Sequence, residues 1–191
     1  MIEYIGPKKL IRPSALHLFE NKNYVFQLKN DGCWCGIQID ENGNVSLFAR
    51  SGIPHSRNLT KAIVQTKLPQ LKNSILLGEI EIRTSWSTGR TLERGYPLIN
   101  LFDIEKLQKE EVTALSWNER NKLVTECCSV TSSKFFKMTE SVFANFVFSY
   151  SNWRKQGIEG GVLKLRSSSL KEKDREGKLS SWIKVLDFPR T

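Results

Sequence analysis

Lys29-Asn30-Asp31-Gly32 is the stretch of this 191-residue chain with the clearest capacity for chemistry. A lysine amine is a nucleophile only when neutral, so its ordinary pKa of about 10.4 must fall before it can attack. A lysine at the end of a strand, just before a tight turn, is held on rigid backbone and can point into a cleft. The same four residues also read as a hairpin corner, because Asp-Gly is a strong two-residue turn signal. A K-x-D-G string arises by chance in roughly one of a few tens of chains this long at ordinary residue usage. The other reactive types offer less. Cys33 and Cys35 alternate on a predicted strand and Cys127 and Cys128 are adjacent. Neither pair has zinc-knuckle or thioredoxin spacing, so four reduced, mostly buried thiols are expected. His17 and His55 have no sequence partner that suggests catalysis.

The elements that must position Lys29 begin as sheet. "YVFQLKN" (24–30), "CGIQID" (35–40) and "VSLFAR" (45–50) are β-rich runs separated by Asp31-Gly32 and Asn42-Gly43-Asn44, which predicts an antiparallel meander. "NLTKAIVQTKLPQL" (58–71) predicts a helix opened by Asn58 with Pro69 as a late breaker, and "NSILLGEIEIR" (73–83) a long strand. Residues 84–97 read as a polar loop carrying Arg90 and Arg94, and "PLINLFDI" (97–104) as a further strand. Ser116-Trp117-Asn118-Glu119 has the form of a capping box for a helix through about Cys127. A second helix, capped by Thr139 and ended by Gly157, places Val142, Phe146, Tyr150 and Trp153 on one face as core. "GGVLKL" (160–165) and "SWIKVLDF" (181–188) are the last strands, with the charged, Ser-rich segment 167–180 between them as a solvated loop. There is no internal repeat and no linker, and the pattern is α+β, one domain over 1–191.

Composition bounds the function classes. With 39% apolar residues, ten Phe and five Trp, the chain can fill a substantial core. No run approaches the roughly 20 apolar residues that cross a bilayer, and "MIEYIGPKKLIRP" lacks the apolar region of a signal peptide, which predicts a soluble cytoplasmic protein. The net charge of +9 favours a polyanionic partner, nucleic acid before membrane.

Five elements in order, "KNDG" (29–32), "ARSG" (49–52), "LGEIEI" (77–82), "LFDI" (101–104) with "EGGVLK" (159–164), and "SWIKV" (181–185), span nearly the whole chain. Together they resemble the nucleotidyltransferase (adenylation) domain of the ATP-dependent DNA ligases, in the superfamily that includes RNA ligases and mRNA capping enzymes. The resemblance implies antiparallel β-sheets flanked by helices, an ATP-grasp-like arrangement with the nucleotide in a cleft between sheets. It implies that Lys29 attacks the α-phosphate of ATP to give lysyl-AMP, with Lys164 and Lys184 gripping that phosphate. Phe102 would stack on adenine, Arg50 and Glu79 would hold the sugar, Gln27 would reach the adenine edge, and Glu159 would help place Mg²⁺. Crowding by Lys164, Lys184 and Mg²⁺ would push the Lys29 amine towards its neutral form. Phosphoryl-type transfer needs in-line positioning and neutralised oxygens, which fits a site of cations and one carboxylate with no His or Ser triad.

Each residue also has an ordinary structural role open to it: Phe102 as core, Glu79 as a solvent-facing strand residue, Lys184 as an edge charge, Glu159-Gly160-Gly161 as a turn. The chain departs from the resemblance at Trp34, where Arg is usual, at Leu77, where Asp is common, and at Leu186, where a basic residue is usual. It also stops just past the last motif, so no C-terminal OB domain is expected within it. The chain is then expected to be an excised catalytic domain, or a minimal or partner-dependent enzyme with that domain supplied in trans. The expected partner is nicked duplex DNA, bound by a monomer. The alternatives are RNA ligation or guanylyl transfer to RNA ends, and a catalytically silent nucleic-acid-binding relative.

Overall fold

The computed structural model describes residues 2–20, 23–55, 61–81, 97–131 and 133–187. In chain order these form β1 (Gly6–Ile11), β2 (Tyr24–Lys29), β3 (Cys33–Ile39), β4 (Val45–Phe48), α1 (Lys61–Val64), β5 (Ser74–Glu81), β6 (Leu98–Leu107), β7 (Glu110–Glu111), α2 (Trp117–Thr131), β8 (Phe136–Met138), β9 (Ser141–Val142), α3 (Phe146–Lys155), β10 (Gly160–Leu165) and β11 (Lys178–Leu186). They divide into two compact units. The first is Met1–Tyr4, Gly32–Ala114 and Glu119–Met138, and the second is Ile5–Asp31, Leu115–Asn118 and Thr139–Thr191.

The first unit is built on a six-stranded sheet, β4-β3-β5-β6-β7 with β8 pairing β6 in parallel. The Asn42-Gly43-Asn44 hairpin between β3 and β4 forms as predicted, with Gly43 at φ +79 where only glycine is unstrained. Alternation gives β3 and β5 one buried face, on which Cys35, Ile37, Ile39, Leu76 and Ile80 are fully or almost fully enclosed. The second unit is a five-stranded sheet, β1-β11-β10-β2-β9, in which β1 runs parallel to β11 and the other pairs are antiparallel. Both sheets are therefore mixed rather than wholly antiparallel. Phe26, Leu163, Ile183 and Val185 on one face of the second sheet meet Phe146, Tyr150 and Trp153 of α3 and Leu16 in a single core cluster. The aromatic stripe is core, as its helical spacing predicts.

Several expectations are overturned. The three early runs are not one meander: β2 pairs β10 and β9, while β3 pairs β4 and β5. Asp31-Gly32 is thus no hairpin corner, and Gly32 is absent from the glycines of positive φ. Of the expected helix over 58–71 the described residues form α1 and a 3-10 turn at Pro69–Leu71, with Leu68 held out of the helical region by the proline that follows it; residues 58–60, with Asn58, lie outside the described residues. The second helix starts at Phe146, after Asn145 at φ +56, because Ser141 and Val142 are taken up by pairing with β2. β6 and α2 run further than predicted, to Leu107 and Thr131. Segment 167–180 holds a 3-10 turn at Leu170–Glu172 closed by a Ser169/Glu172 capping box, with Leu170 buried. Of the polar loop, residues 84–96 with Arg90 and Arg94 lie outside the described residues.

The four cysteines are free thiols. Burial pushes Cys35 and Cys127 up to about 12 and Cys128 to about 11. No helix among the described residues is long and apolar enough to cross a membrane.

Candidate active site

Strand pairing in the second unit brings five of the expected residues to one side of the sheet. Residues directly opposite on neighbouring strands point to the same face. Lys29 of β2 faces Gly160, Gln27 faces Val162 and Val25 faces Lys164 on β10. On the far side of β10, Val162 faces Lys184 and Lys164 faces Trp182. Gln27, Lys29, Lys164 and Lys184 therefore share the face opposite the aromatic core. Gln27 and Lys184 sit in one cross-strand row, about 10 Å apart across two strand spacings, and Lys164 lies about 13 Å along the strand direction from the row of Lys29. Glu159, the residue before β10, joins them directly: its Oε2 is hydrogen-bonded and ion-paired to Lys29 Nζ.

Two glycines make this register possible. A Cβ on Gly160 would collide with the carbonyl oxygen of Val185 on β11, and one on Gly161 would enter the ring of Phe26 in the core. The first glycine lets the backbones of β10 and β11 close together and the second leaves room for the Phe26 ring. Arg154 of α3 holds the entry to β10 from outside: Nη1 donates to the carbonyls of Ile158 (2.8 Å) and Glu159 (3.3 Å), and Nε is 3.0 Å from Asp187 Oδ2. Asn30 Nδ2 donates to Thr139 Oγ1 at 3.4 Å, and Leu28 N–H to Glu140 O at 2.9 Å, which ties the end of β2 to the segment before β9.

The Lys29 amine meets the Glu159 carboxylate and lies 3.5 Å from the carbonyl oxygen of Asn30, and Lys164 is 1% exposed with its ammonium 3.8 Å from the centroid of the Trp182 ring. An aromatic face stabilises such a desolvated cation. Gln27 is also buried, its Nε2 donating to Ser141 Oγ at 3.2 Å. Mg²⁺ in nucleotide sites is held by one or two carboxylates plus phosphate oxygens and water. Glu159, with a side chain 42% exposed, fits that donor set. Among the described residues no group of three His, Cys, Asp or Glu side chains forms a metal cage of its own.

The other three expected residues belong to the first unit. Glu79 faces Trp34 of β3 and Asn100 of β6, and its Oε1 accepts the N–H of Gly32 at 2.9 Å. Gly32 approaches β5 so closely that a Cβ would strike the carbonyl of Ile80. The motif glycine is thus required for contact with the Glu79 strand and not for a turn. Phe102 is the extra residue of a β-bulge, since Leu77 pairs Asp103 while Gly78 pairs Leu101. Bulges re-aim a side chain out of the regular pleat. Arg50 is exposed, its guanidinium carbon 3.8 Å from the ring centroid of Tyr4.

Sequence reasoning missed Tyr4, Arg154 and the pair Asp103–Arg120. Arg120 Nε and Nη2 donate to Asp103 Oδ1 and Oδ2 at 2.7 and 3.2 Å, both side chains being at most 1% exposed. The available signal was the stripe Trp117, Arg120, Val124 and Cys127, an arginine in line with apolar residues at helical spacing, all four buried.

No curated protein matches the sequence. Among solved structures, mycobacterial DNA ligase D complexed with ATP and MES matches at 22% identity and TM-score 0.69, over 87% of this chain and 55% of that one. The ligase domain of M. tuberculosis LigD matches at 21% and 0.70, over 94% and 58%. An archaeal ATP-dependent RNA ligase matches at 14% and 0.62, over 96% and 48%. The chain thus shares their fold while spanning little more than half the length of the first two. The profile of the ATP dependent DNA ligase domain matches residues 9–185, nearly the whole chain and every one of the motifs described above, so the chain belongs to the ATP-dependent DNA ligase domain family.

Proposed function

We propose that this chain is the adenylating core of a DNA ligase, with Lys29 as the nucleophile. The supporting observation is the single sheet face that carries Lys29, Lys164, Lys184 and Gln27, with Glu159 on the lysine amine. An ammonium paired to a carboxylate does not attack, so the Lys29–Glu159 pair is the resting state and must part first. The neutral amine then forms an N–P bond to the α-phosphorus as the bridging P–O bond breaks. Pyrophosphate leaves with the electron pair, and the amine gives up its proton. Lys164 and Lys184 hold the α-phosphate oxygens, Phe102 stacks on adenine, Gln27 meets its edge, and Arg50 and Glu79 hold the sugar. Mg²⁺, held by Glu159, would neutralise charge on the phosphate oxygens and draw that carboxylate off the lysine. AMP then passes to a 5′-phosphate at a nick in duplex DNA, and the 3′-hydroxyl seals the break with loss of AMP. The chain works as a cytoplasmic monomer, with an OB-fold domain supplied in the same polypeptide or in trans. Contacts to backbone phosphates make binding weaken steeply with salt.

Intact mass after incubation with ATP and Mg²⁺ tests this. Wild type gains the mass of AMP and Lys29→Ala does not; wild type that never gains it refutes the proposal and favours a silent binding module. The fold is shared with an archaeal RNA ligase, so transfer from the adduct is then compared on nicked DNA and nicked RNA duplexes. Exclusive use of RNA would move the substrate assignment.

A further inference from the structure

Arg50 follows β4 in a turn closed by Ala49 N–H to Ile53 O (2.8 Å) and Gly52 N–H to Ala49 O (2.9 Å). That turn fixes backbone and leaves a long, exposed side chain to find its own direction. What meets the guanidinium is an aromatic face, Tyr4, at 3.8 Å. Tyr4 is itself held. Its ring meets Trp34 edge to face, with centroids 5.6 Å apart and planes at 65°. Two residues earlier, Ile2 lies where a side chain on Gly36 would be, since a Cβ there would stand 2.5 Å from Ile2 Cγ2 and 3.1 Å from Trp34 Cη2. Gly36 and Trp34 alternate on the same face of β3, and Trp34 faces Glu79 in register. Segment 2–4 is therefore laid on the sheet face that carries Glu79, with the empty position at Gly36 seating both Ile2 and the indole.

We propose that Tyr4, buttressed by Trp34, is a positioning residue that sets the direction in which Arg50 meets the sugar and phosphate of the bound nucleotide. This rests on the assignment of Arg50 to the nucleotide made above. The interaction is a planar cation over an aromatic quadrupole, so it depends on the ring and not on the phenolic hydroxyl.

The experiment follows formation of the lysyl-AMP adduct against ATP concentration, separating half-saturation from maximal rate. Tyr4→Leu raises half-saturation about two- to fivefold, the range of an exposed cation–π contact, and leaves the maximal rate near wild type. Tyr4→Phe restores wild-type half-saturation. In an Arg50→Ala background Tyr4→Leu adds nothing, because it acts through Arg50. Fluorinated phenylalanines at position 4 keep ring shape while draining the face of electron density, so they report even where Tyr4→Leu does not fold; half-saturation climbs with each fluorine. A flat fluorine series, or a Tyr4→Leu effect of equal size with and without Arg50, overturns the proposal. If Arg50→Ala leaves ATP use unchanged, the assignment of Arg50 falls and the proposal with it; if Arg50→Ala weakens ATP use while the position 4 series does not, only the positioning role of Tyr4 falls.

Discussion

Replacing Arg120 with leucine should be among the most damaging single changes outside the site. Its guanidinium and the Asp103 carboxylate are 0% and 1% exposed and meet through two hydrogen bonds, at 2.7 and 3.2 Å. Removing one partner strands the other charge out of water, which costs about 3–5 kcal/mol. For a chain of this size each kcal/mol lowers the melting temperature by about 2–4 °C. The expected loss is roughly 6–20 °C. The pair also matters to the site, because Asp103 follows the bulge residue Phe102 and its Oδ1 accepts the N–H of Ile104 at 2.9 Å, locking the chain on the far side of the bulge. Adduct formation by Arg120→Leu should therefore fall further than its folded fraction, with the excess in ATP half-saturation. The double variant Asp103→Leu/Arg120→Met should recover much of the stability, since apolar side chains can replace a buried pair at little net cost. Thermal and urea unfolding followed by circular dichroism give the comparison. A loss below about 1 kcal/mol for Arg120→Leu, or a double variant worse than the sum of its singles, would refute the argument.

Gly161→Ala presses a methyl group into Phe26, a ring packed 4.9 Å from Trp153 and 5.7 Å from Phe146, and should cost about 1–3 kcal/mol as overpacking. Gly160→Ala meets a backbone carbonyl that cannot swing away, so urea unfolding should rank it as the more destabilising of the two; the reverse order would contradict the register. Of the four cysteines, Cys33 is exposed while the thiols of Cys35, Cys127 and Cys128 are pushed up to between about 11 and about 12, so a thiol reagent at pH 8 should label one site quickly in the native protein and four after denaturation. Two fast native sites would contradict the burial. Asp40, by hydrogen bonds from Asn44, and Asp174, by the N–H of Lys178, are held below the ordinary value of 3.8 when folded. Their stabilisation is present above that value and is lost as pH falls through the lower folded pKa, so acid unfolding should be less steep in Asp40→Asn and Asp174→Asn.

Local pattern carried the elements and failed on their partners. "GGVLKL" is β10 to the residue, and Phe146, Tyr150 and Trp153 are core as their helical spacing predicts, while Val142, predicted on the same helix face, lies on β9 and packs against that core. Asp31-Gly32 misled because glycine serves two ends, positive φ in a turn and close approach of backbones, and the string is the same for both. Only the pairing of β2 with β10 rather than β3 distinguishes them, and that pairing joins Lys29 to Gly160, far apart in sequence. The bulge at Phe102 was invisible for the same reason: a bulge exists only relative to a partner's register. The resemblance places Glu159 and Lys29 in one site and assigns the carboxylate to metal; that it also pairs with the lysine depends on the β2–β10 register, which motif spacing does not contain.

The spacing of "EGGVLK" follows from the pleat of one strand. Gly160, Val162 and Lys164 alternate with Gly161, Leu163 and Leu165 along β10, so the first set lies on the Lys29 face while Gly161 and Leu163 meet the core. One residue more or fewer between Gly160 and Lys164 would exchange the faces, driving the lysine towards Phe26 and the core and turning an apolar side chain onto the Lys29 face. The core thus enforces the motif as firmly as the chemistry does. The same reasoning accounts for Trp34. Alternation on β3 puts it opposite Glu79, where an arginine would add a cation; the indole instead lies along the strand over Gly36 and supports Tyr4 beneath Arg50. A departure that looks like a lost phosphate contact becomes, in this packing, a change in how the neighbouring cation is aimed.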